Sequence, residues 1–264
     1  MQKYEPNDET KNNAHIRSFE EYKKLYDYSI KEPEAFWSEQ AERISWFKKW
    51  NNVWEWDFNK ASVKWFEGAK LNACYNCVDR HVVDGYGEKT ALIWEGNNPA
   101  ESKNYTYNEL LGKVQLAANA LKNLGVKKGD RVCIYMQMIP ELAISVLACA
   151  RIGAIHSVVF GAFAPDSLEA RINDSECKVL ITQDTGVRGT KNDIPMKSNA
   201  DVAVQKTPSI EKILVVNRTG KPIERRIFPE GQDQEKRLWD DLRWSHFKQK
   251  SPAEMFSIIG ERVF

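Results

Sequence analysis

Gly186-Val187-Arg188-Gly189-Thr190-Lys191 is the stretch whose residue types point most directly to chemistry. Its glycines free the backbone, a guanidinium can grip an anion through paired hydrogen bonds, and an ammonium adds a point charge. Together they suit a phosphate, although an ordinary solvated turn uses the same residues. Cys74-Tyr75-Asn76-Cys77 has redox or zinc spacing, but no second CxxC and no His pair at ligand spacing accompany it. Two buried thiols on one helical face are the simpler expectation. Asp79-Arg80-His81 sets an acid, a cation and an imidazole in succession. Neighbours on a helix point apart, so a buried structural network is expected rather than a catalytic one. His156, at the start of an apolar run, reads as a core imidazole with its hydrogen bonds satisfied. No GxxxxGK[ST] loop occurs, and Gly85-Tyr86-Gly87 lacks the third glycine and the preceding strand of a dinucleotide fingerprint.

The elements that must carry these groups are clearest between residues 131 and 184. Apolar, β-branched runs at Val132–Met136, Ile155–Phe160 and Val179–Thr182 alternate with two helical patterns. That is strand–helix–strand–helix–strand, which predicts an α/β fold with a mostly parallel sheet, flanking helices and right-handed crossovers. Phe160-Gly161-Ala162-Phe163-Ala164-Pro165 leaves the carboxyl end of the second strand, the end at which open α/β sheets bind ligands. The Arg188 loop leaves the carboxyl end of the third. Upstream, Leu71–Val83 reads as a helix ending at Gly85, Thr90–Glu95 as a strand and 96–104 as a polar loop. Thr106 caps a helix that Gly125 stops. Downstream, Ile194–Val204 reads as a helix and Lys212–Asn217 as a strand. A polar connection over 218–236 and an amphipathic helix at Leu238–Phe247 follow.

The first fourteen residues or so read as unstructured. Helices are expected from Ser18 to about Lys31 and from Glu32 to about Ile44. Six of the nine tryptophans lie between residues 37 and 65, where indoles clamping an N-terminal arm are a simpler expectation than a carbohydrate platform.

Composition narrows the function classes. With 38 basic and 37 acidic residues the net charge is +1, which leaves no nucleic-acid footprint. The basic cluster Lys221–Arg226 is followed by acids and reads as a solvated face. No apolar run reaches membrane-spanning length, and the polar start has no signal-peptide core. Five cysteines, three of them inside apolar elements, suit a reducing cytoplasm. The sequons at Asn104, Asn173 and Asn217 then read as chance matches.

Several long strings resemble, in order, the N-terminal part of the acetyl-coenzyme A synthetase family of acyl-adenylate-forming enzymes. They are LNACYNCVDRH (71–81), the helix and strand over 106–132, MQMIPELAISVLACARIGAIHSVVFGAF (136–163) and LITQDTGVRGTKNDIPMK (180–197). The likeness spans roughly residues 18–250. It implies an enzyme that converts acetate, ATP and coenzyme A (CoA) to acetyl-CoA, AMP and pyrophosphate. Acetyl-adenylate forms first with magnesium assisting, and the CoA thiolate then attacks it. Carried over by position, Phe160, Gly161 and Ala162 would line the CoA nucleotide pocket, Arg188 and Lys191 would pair with its phosphates, and Ile194 would add an apolar wall. The Arg188 loop is one residue longer than usual. Gln137 stands where the family usually has proline, a change with no expected consequence, and Ala162 replaces the second glycine of FGGF, a methyl expected to shift CoA affinity modestly.

A Ser/Thr/Gly-rich phosphate loop similar to YTSGSTGKPKG is absent from the 264 residues. So are the acetate pocket, the adenine and ribose contacts and the small domain with the catalytic lysine. After Ser251-Pro252-Ala253-Glu254 the final MFSIIGERVF departs from the family pattern, as a frameshift, a premature stop or a designed cut would each produce. The expected organisation is a helical Trp-rich extension over 1–70, a partial adenylate-forming domain over 71–250 and a divergent tail over 251–264. The expected function is the N-terminal portion of an acetate–CoA ligase, holding part of the CoA site, no catalytic residue and no metal site, and inactive alone. Alternatives are a free-standing CoA- or nucleotide-binding module and a docking subunit without catalysis. Partners are the small-molecule substrates, with neither nucleic acid nor membrane, and self-association is expected through uncovered core.

Overall fold

The computed structural model describes residues 4–221 and 223. The connection expected over 218–236 lies largely outside the described residues, and the helix over 238–247 and the tail over 251–264 lie wholly outside them. The chain divides into two units after Lys70.

The first unit holds more structure than helices alone. Helix α1 (Asp8–Asn13) lies in the stretch expected to be unstructured, because Asn7 accepts a hydrogen bond from the Thr10 amide and acidic residues fill the first turn. Helix α2 (Phe19–Lys31) starts at Ser18, whose hydroxyl accepts from the Glu21 amide. Helix α3 (Pro33–Ala41) opens on proline and ends before Ile44. The Trp-rich segment beyond it is an antiparallel hairpin, not a helix: strands β1 (Asn52–Asp57) and β2 (Ser62–Glu67) pair Trp54 with Trp65 and Trp56 with Val63. Alternating apolar and charged residues with high strand propensity outweigh helix formation there. Asp57 turns the chain by accepting from the amides of Asn59 and Lys60. The indoles of Trp54, Trp56 and Trp65 stack nearly parallel, and Trp46, Trp50 and Phe66 form a second ring cluster.

The second unit is the expected α/β body. Two π-helical stretches, Tyr75–Asp79 and Val82–Tyr86, replace the single α-helix expected over 71–83. Strand β3 (Thr90–Trp94) pairs antiparallel with β4 (Lys103–Thr106), which begins in the last two residues of the loop expected over 96–104. Helix α4 (Tyr107–Asn123) begins with a complete capping box between Thr106 and Glu109, and Gly125 follows its end at φ 85°.

Strand β5 (Arg131–Met136), helix α5 (Pro140–Ile152), strand β6 (Ile155–Phe160), helix α6 (Pro165–Ser175) and strand β7 (Val179–Gln183) follow within a residue or so of the expected bounds. A small hairpin of β8 (Gly186–Arg188) and β9 (Lys191–Ile194) takes the place of the expected loop. Helix α7 (Met196–Val204) and strand β10 (Lys212–Val216) complete the described fold.

The main sheet is parallel, in the order β10-β7-β5-β6. Alternate residues on β5 serve opposite faces. Val132, Ile134 and Met136 join one buried cluster with residues of α4 and α5, and Cys133 and Tyr135 join another with residues of α6 and α7. Strand β6 lies at one edge of the sheet among the described residues, opposite β10, and it departs from expectation. His156, Val158 and Phe160 stand in register with Val132, Ile134 and Met136, yet all three are exposed, so His156 is no core imidazole. An apolar run marks a strand buried on both faces only when helices cover both, and here one face of β6 is open.

Candidate phosphate-binding site at the strand ends

The carboxyl ends of β5, β6 and β7 bring together the two segments that the sequence singled out. The path from β5 leads to α5 on one face, while β7 leads through the β8–β9 hairpin to α7 on the other. The strand order therefore reverses direction between β5 and β7, the place where open sheets form a crevice.

The hairpin carries the charge. Arg188 and Lys191 are register partners, so their side chains share one face of the two-stranded ladder. Gly189, at φ 58°, makes the tight turn between them possible. Both cations are exposed, and neither makes an ion pair among the described residues, so both charges are available to an anion. Ile194 closes the base opposite Gly186, half-buried against the cluster beneath α6 and α7.

The β6 exit supplies the other half. Gly161 leaves little room for a side chain: an added Cβ would lie 3.0 Å from the Met136 carbonyl carbon and oxygen and 3.1 Å from the Gln137 nitrogen, so the β5 backbone would have to give by a few tenths of an ångström. This close approach, not a positive φ, favours glycine there. Ala162 is exposed, and Phe160 packs edge-on to Phe163. The turn is tied down by Tyr135, whose hydroxyl donates to the Phe163 carbonyl at 2.8 Å. Burial pushes that phenol's pKa above its ordinary value, which keeps it a donor. Arg171 lies 4.5 Å from the Phe163 ring centroid.

Between the two halves sits Gln137, whose replacement of proline carried no expected consequence. Its amide donates to the Gln183 side-chain oxygen at 2.9 Å, and its own Oε1 accepts from the Val187 amide at 2.7 Å. Gln183 is fully buried and spends its other end on the Thr185 carbonyl. Farther out, Asn97 brackets the hairpin turn, donating to the Gly189 carbonyl at 2.6 Å and accepting from its amide at 3.0 Å. Sequence reasoning missed Gln183 and Asn97. The only advance signal was Gln137 itself, a hydrogen-bonding residue in the place of a proline.

The other candidates are structural. Asp79 is buried with Arg151, whose Nη1 lies 2.9 and 2.8 Å from its two oxygens, and Cys74 sits beside the pair. Burial pushes the Cys74 thiol up to about 11, with Arg151 pulling the other way, so it stays protonated. Cys77 is exposed rather than buried beside Cys74, because π-helical winding rotates residue i+3 off the face that an α-helix would give it. His81 packs against the Tyr107 ring at 4.8 Å. Among the described residues no group of three or more His, Cys, Asp or Glu side chains is placed to hold a metal. Nor is any helix among them long and apolar enough to cross a membrane.

The model of the AMP-binding enzyme family matches residues 79–258. The chain belongs to that family. A second family model, acetyl-coenzyme A synthetase N-terminus, matches residues 22–77. Among individual proteins, the acetyl-coenzyme A synthetase of Magnetococcus marinus is 54% identical over 215 residues, covering 81% of this chain and 33% of that protein. Acetyl-coenzyme A synthetase 2 of Pseudomonas putida is 52% identical over 220 residues, 83% of this chain and 33% of its own length. The synthetase of Rubrobacter xylanophilus is 48% identical over 251 residues, 95% and 37% respectively. The chain thus spans about a third of the length of the curated relatives it matches.

Proposed function

We propose that these 264 residues serve an acetate–CoA ligase of the AMP-forming kind, as its N-terminal portion, and form one wall of its CoA site. The observation that carries this reading is the exposed cation couple of Arg188 and Lys191, in no ion pair among the described residues and held on a hairpin at the strand ends. Around half the residues are identical to those of proteins named acetyl-coenzyme A synthetase, which supports acetate, ATP and CoA as the substrates. In this reading Arg188 grips a CoA phosphate, Lys191 adds charge, and Phe160 with Ile194 borders the nucleotide. The exposed methyl of Ala162 costs little affinity. The chain belongs to the cytoplasm, a setting that suits its five free thiols.

The chemistry of adenylation lies elsewhere. We assign none of the described residues a part in orienting ATP phosphates for transfer, which is most of what phosphoryl and adenylyl transfer require of a protein. The 264-residue chain alone therefore shows no acetate-dependent ATP–pyrophosphate exchange, and exchange above background overturns that statement. Calorimetry with CoA tests the binding half. Saturable binding that Arg188→Ala weakens supports it, and absence of heat at millimolar CoA refutes it.

A further inference from the structure

The two halves of the candidate site are not neighbours in the sheet: β6 and β7 lie on opposite sides of β5. Adjacent strands are ~4.8 Å apart, so the Phe160–Ala162 turn and the hairpin are centred about 10 Å from one another. Something must fix one against the other if both are to meet a single ligand. The β5 exit touches both. Gly161 presses on the backbone at Met136 and Gln137, and the Gln137 side chain reaches Val187. The fit on the hairpin side is equally close, since a Cβ on Gly186 would fall 2.8 Å from the Gln137 Cδ.

Resting on the CoA reading above, we propose that Gln137 is a positioning residue that joins the two halves of that site. Its side chain occupies the strand-order reversal between β5 and β7 and acts as one rung of a sheet. A neighbouring strand would offer a carbonyl to the Val187 amide; Gln137 offers its side-chain oxygen instead. Its own amide is anchored on buried Gln183, so the bracket rests on the core and not on solvent. The hairpin is thereby pinned at its base by Gln137 and at its turn by Asn97, with Arg188 and Lys191 between the two pins. A pinned pair of cations meets phosphate without first being ordered, and affinity rises by the ordering cost avoided.

The test uses the 264-residue chain and two readouts, hydrogen exchange at single amides by NMR and CoA affinity by calorimetry. Gln137→Met keeps the side-chain length and loses the acceptor. Val187 exchange should accelerate about tenfold and CoA binding should weaken about five- to tenfold, the worth of one hydrogen bond. Gln137→Glu restores an oxygen and should restore Val187 protection, judged by exchange because its charge itself opposes phosphate. Gly186→Ala displaces the same side chain from the other direction and should reproduce the Met variant if that one folds poorly. Unchanged Val187 exchange in both the Met and Ala variants overturns the bracket. If Arg188→Ala weakens CoA binding while Gln137→Met leaves it intact, the positioning role fails and the CoA reading stands. If the wild-type chain binds no CoA, the CoA reading fails, and the role proposed for Gln137 in that site fails with it.

Discussion

The buried pair of Asp79 and Arg151 permits a sharp test of how the body of this protein is held. The side chains are 9% and 11% exposed, and Nη1 of Arg151 reaches both carboxylate oxygens within 3 Å. Asp79 ends a π-helical stretch and Arg151 lies in the last turn of α5, so the pair crosses a gap of 72 residues in sequence. Removing one partner leaves the other charge in a dry site, at a cost of about 3–5 kcal/mol. Arg151→Met and Asp79→Leu should each lose that much, a large share of the ~5–15 kcal/mol that a domain possesses. The double variant replaces two charges by two apolar groups of similar bulk, and should lose only about 0–2 kcal/mol. Urea unfolding followed by circular dichroism gives all four stabilities, and unchanged m-values confirm that the same surface is being exposed. The coupling energy should then be several kcal/mol and favourable. Additive losses in the double variant would refute the reasoning, since they would mean that neither charge depends on the other.

Three further outcomes follow from the geometry. Thr106→Ala breaks one bond of the capping box, and should cost about 1 kcal/mol in the same urea assay. A thiol reagent in native buffer should modify Cys77 alone, and all five cysteines only after denaturation; rapid reaction of a second thiol in the folded state counts against the burial described. Ile155, Val158 and Phe160 on the edge strand are 55%, 48% and 61% exposed, so the chain should self-associate and Val158→Lys should reduce it. Light scattering that finds the wild-type chain monomeric at high concentration contradicts that account.

What could be read from the sequence was whatever a short window carries. Three β-branched runs and two helical periods set β5, α5, β6, α6 and β7, and the Thr106–Glu109 box set the start of α4, because each signal lies within a few residues of its effect. The hairpins were illegible for the opposite reason. Lys191–Ile194 and Lys103–Thr106 are polar, and they become strands only by pairing with partners that periodicity does not reveal. Exposure of β6 escaped notice too, since an apolar run looks alike at the edge and in the middle of a sheet. In the candidate site the cations announced themselves by type. The groups that hold them did not: Gln137 lies 50 residues from Val187, and Asn97 lies 92 from Gly189. Neutral amides have no periodicity, and their meaning depends on what folding brings beside them.

The strand order has a consequence for how the protein is made. The earliest strand of the main sheet, β5, ends up inside it, and each later strand docks on an edge that already exists: β6 on one side, β7 on the other, then β10 outside β7. No arriving strand has to separate a pair that has already formed. A chain emerging from a ribosome N-terminus first can therefore enlarge this sheet step by step, with every intermediate a smaller version of the final one. Among the described residues the same logic leaves the outer side of β6 as an edge from the moment that strand docks, open to whatever segment reaches it first.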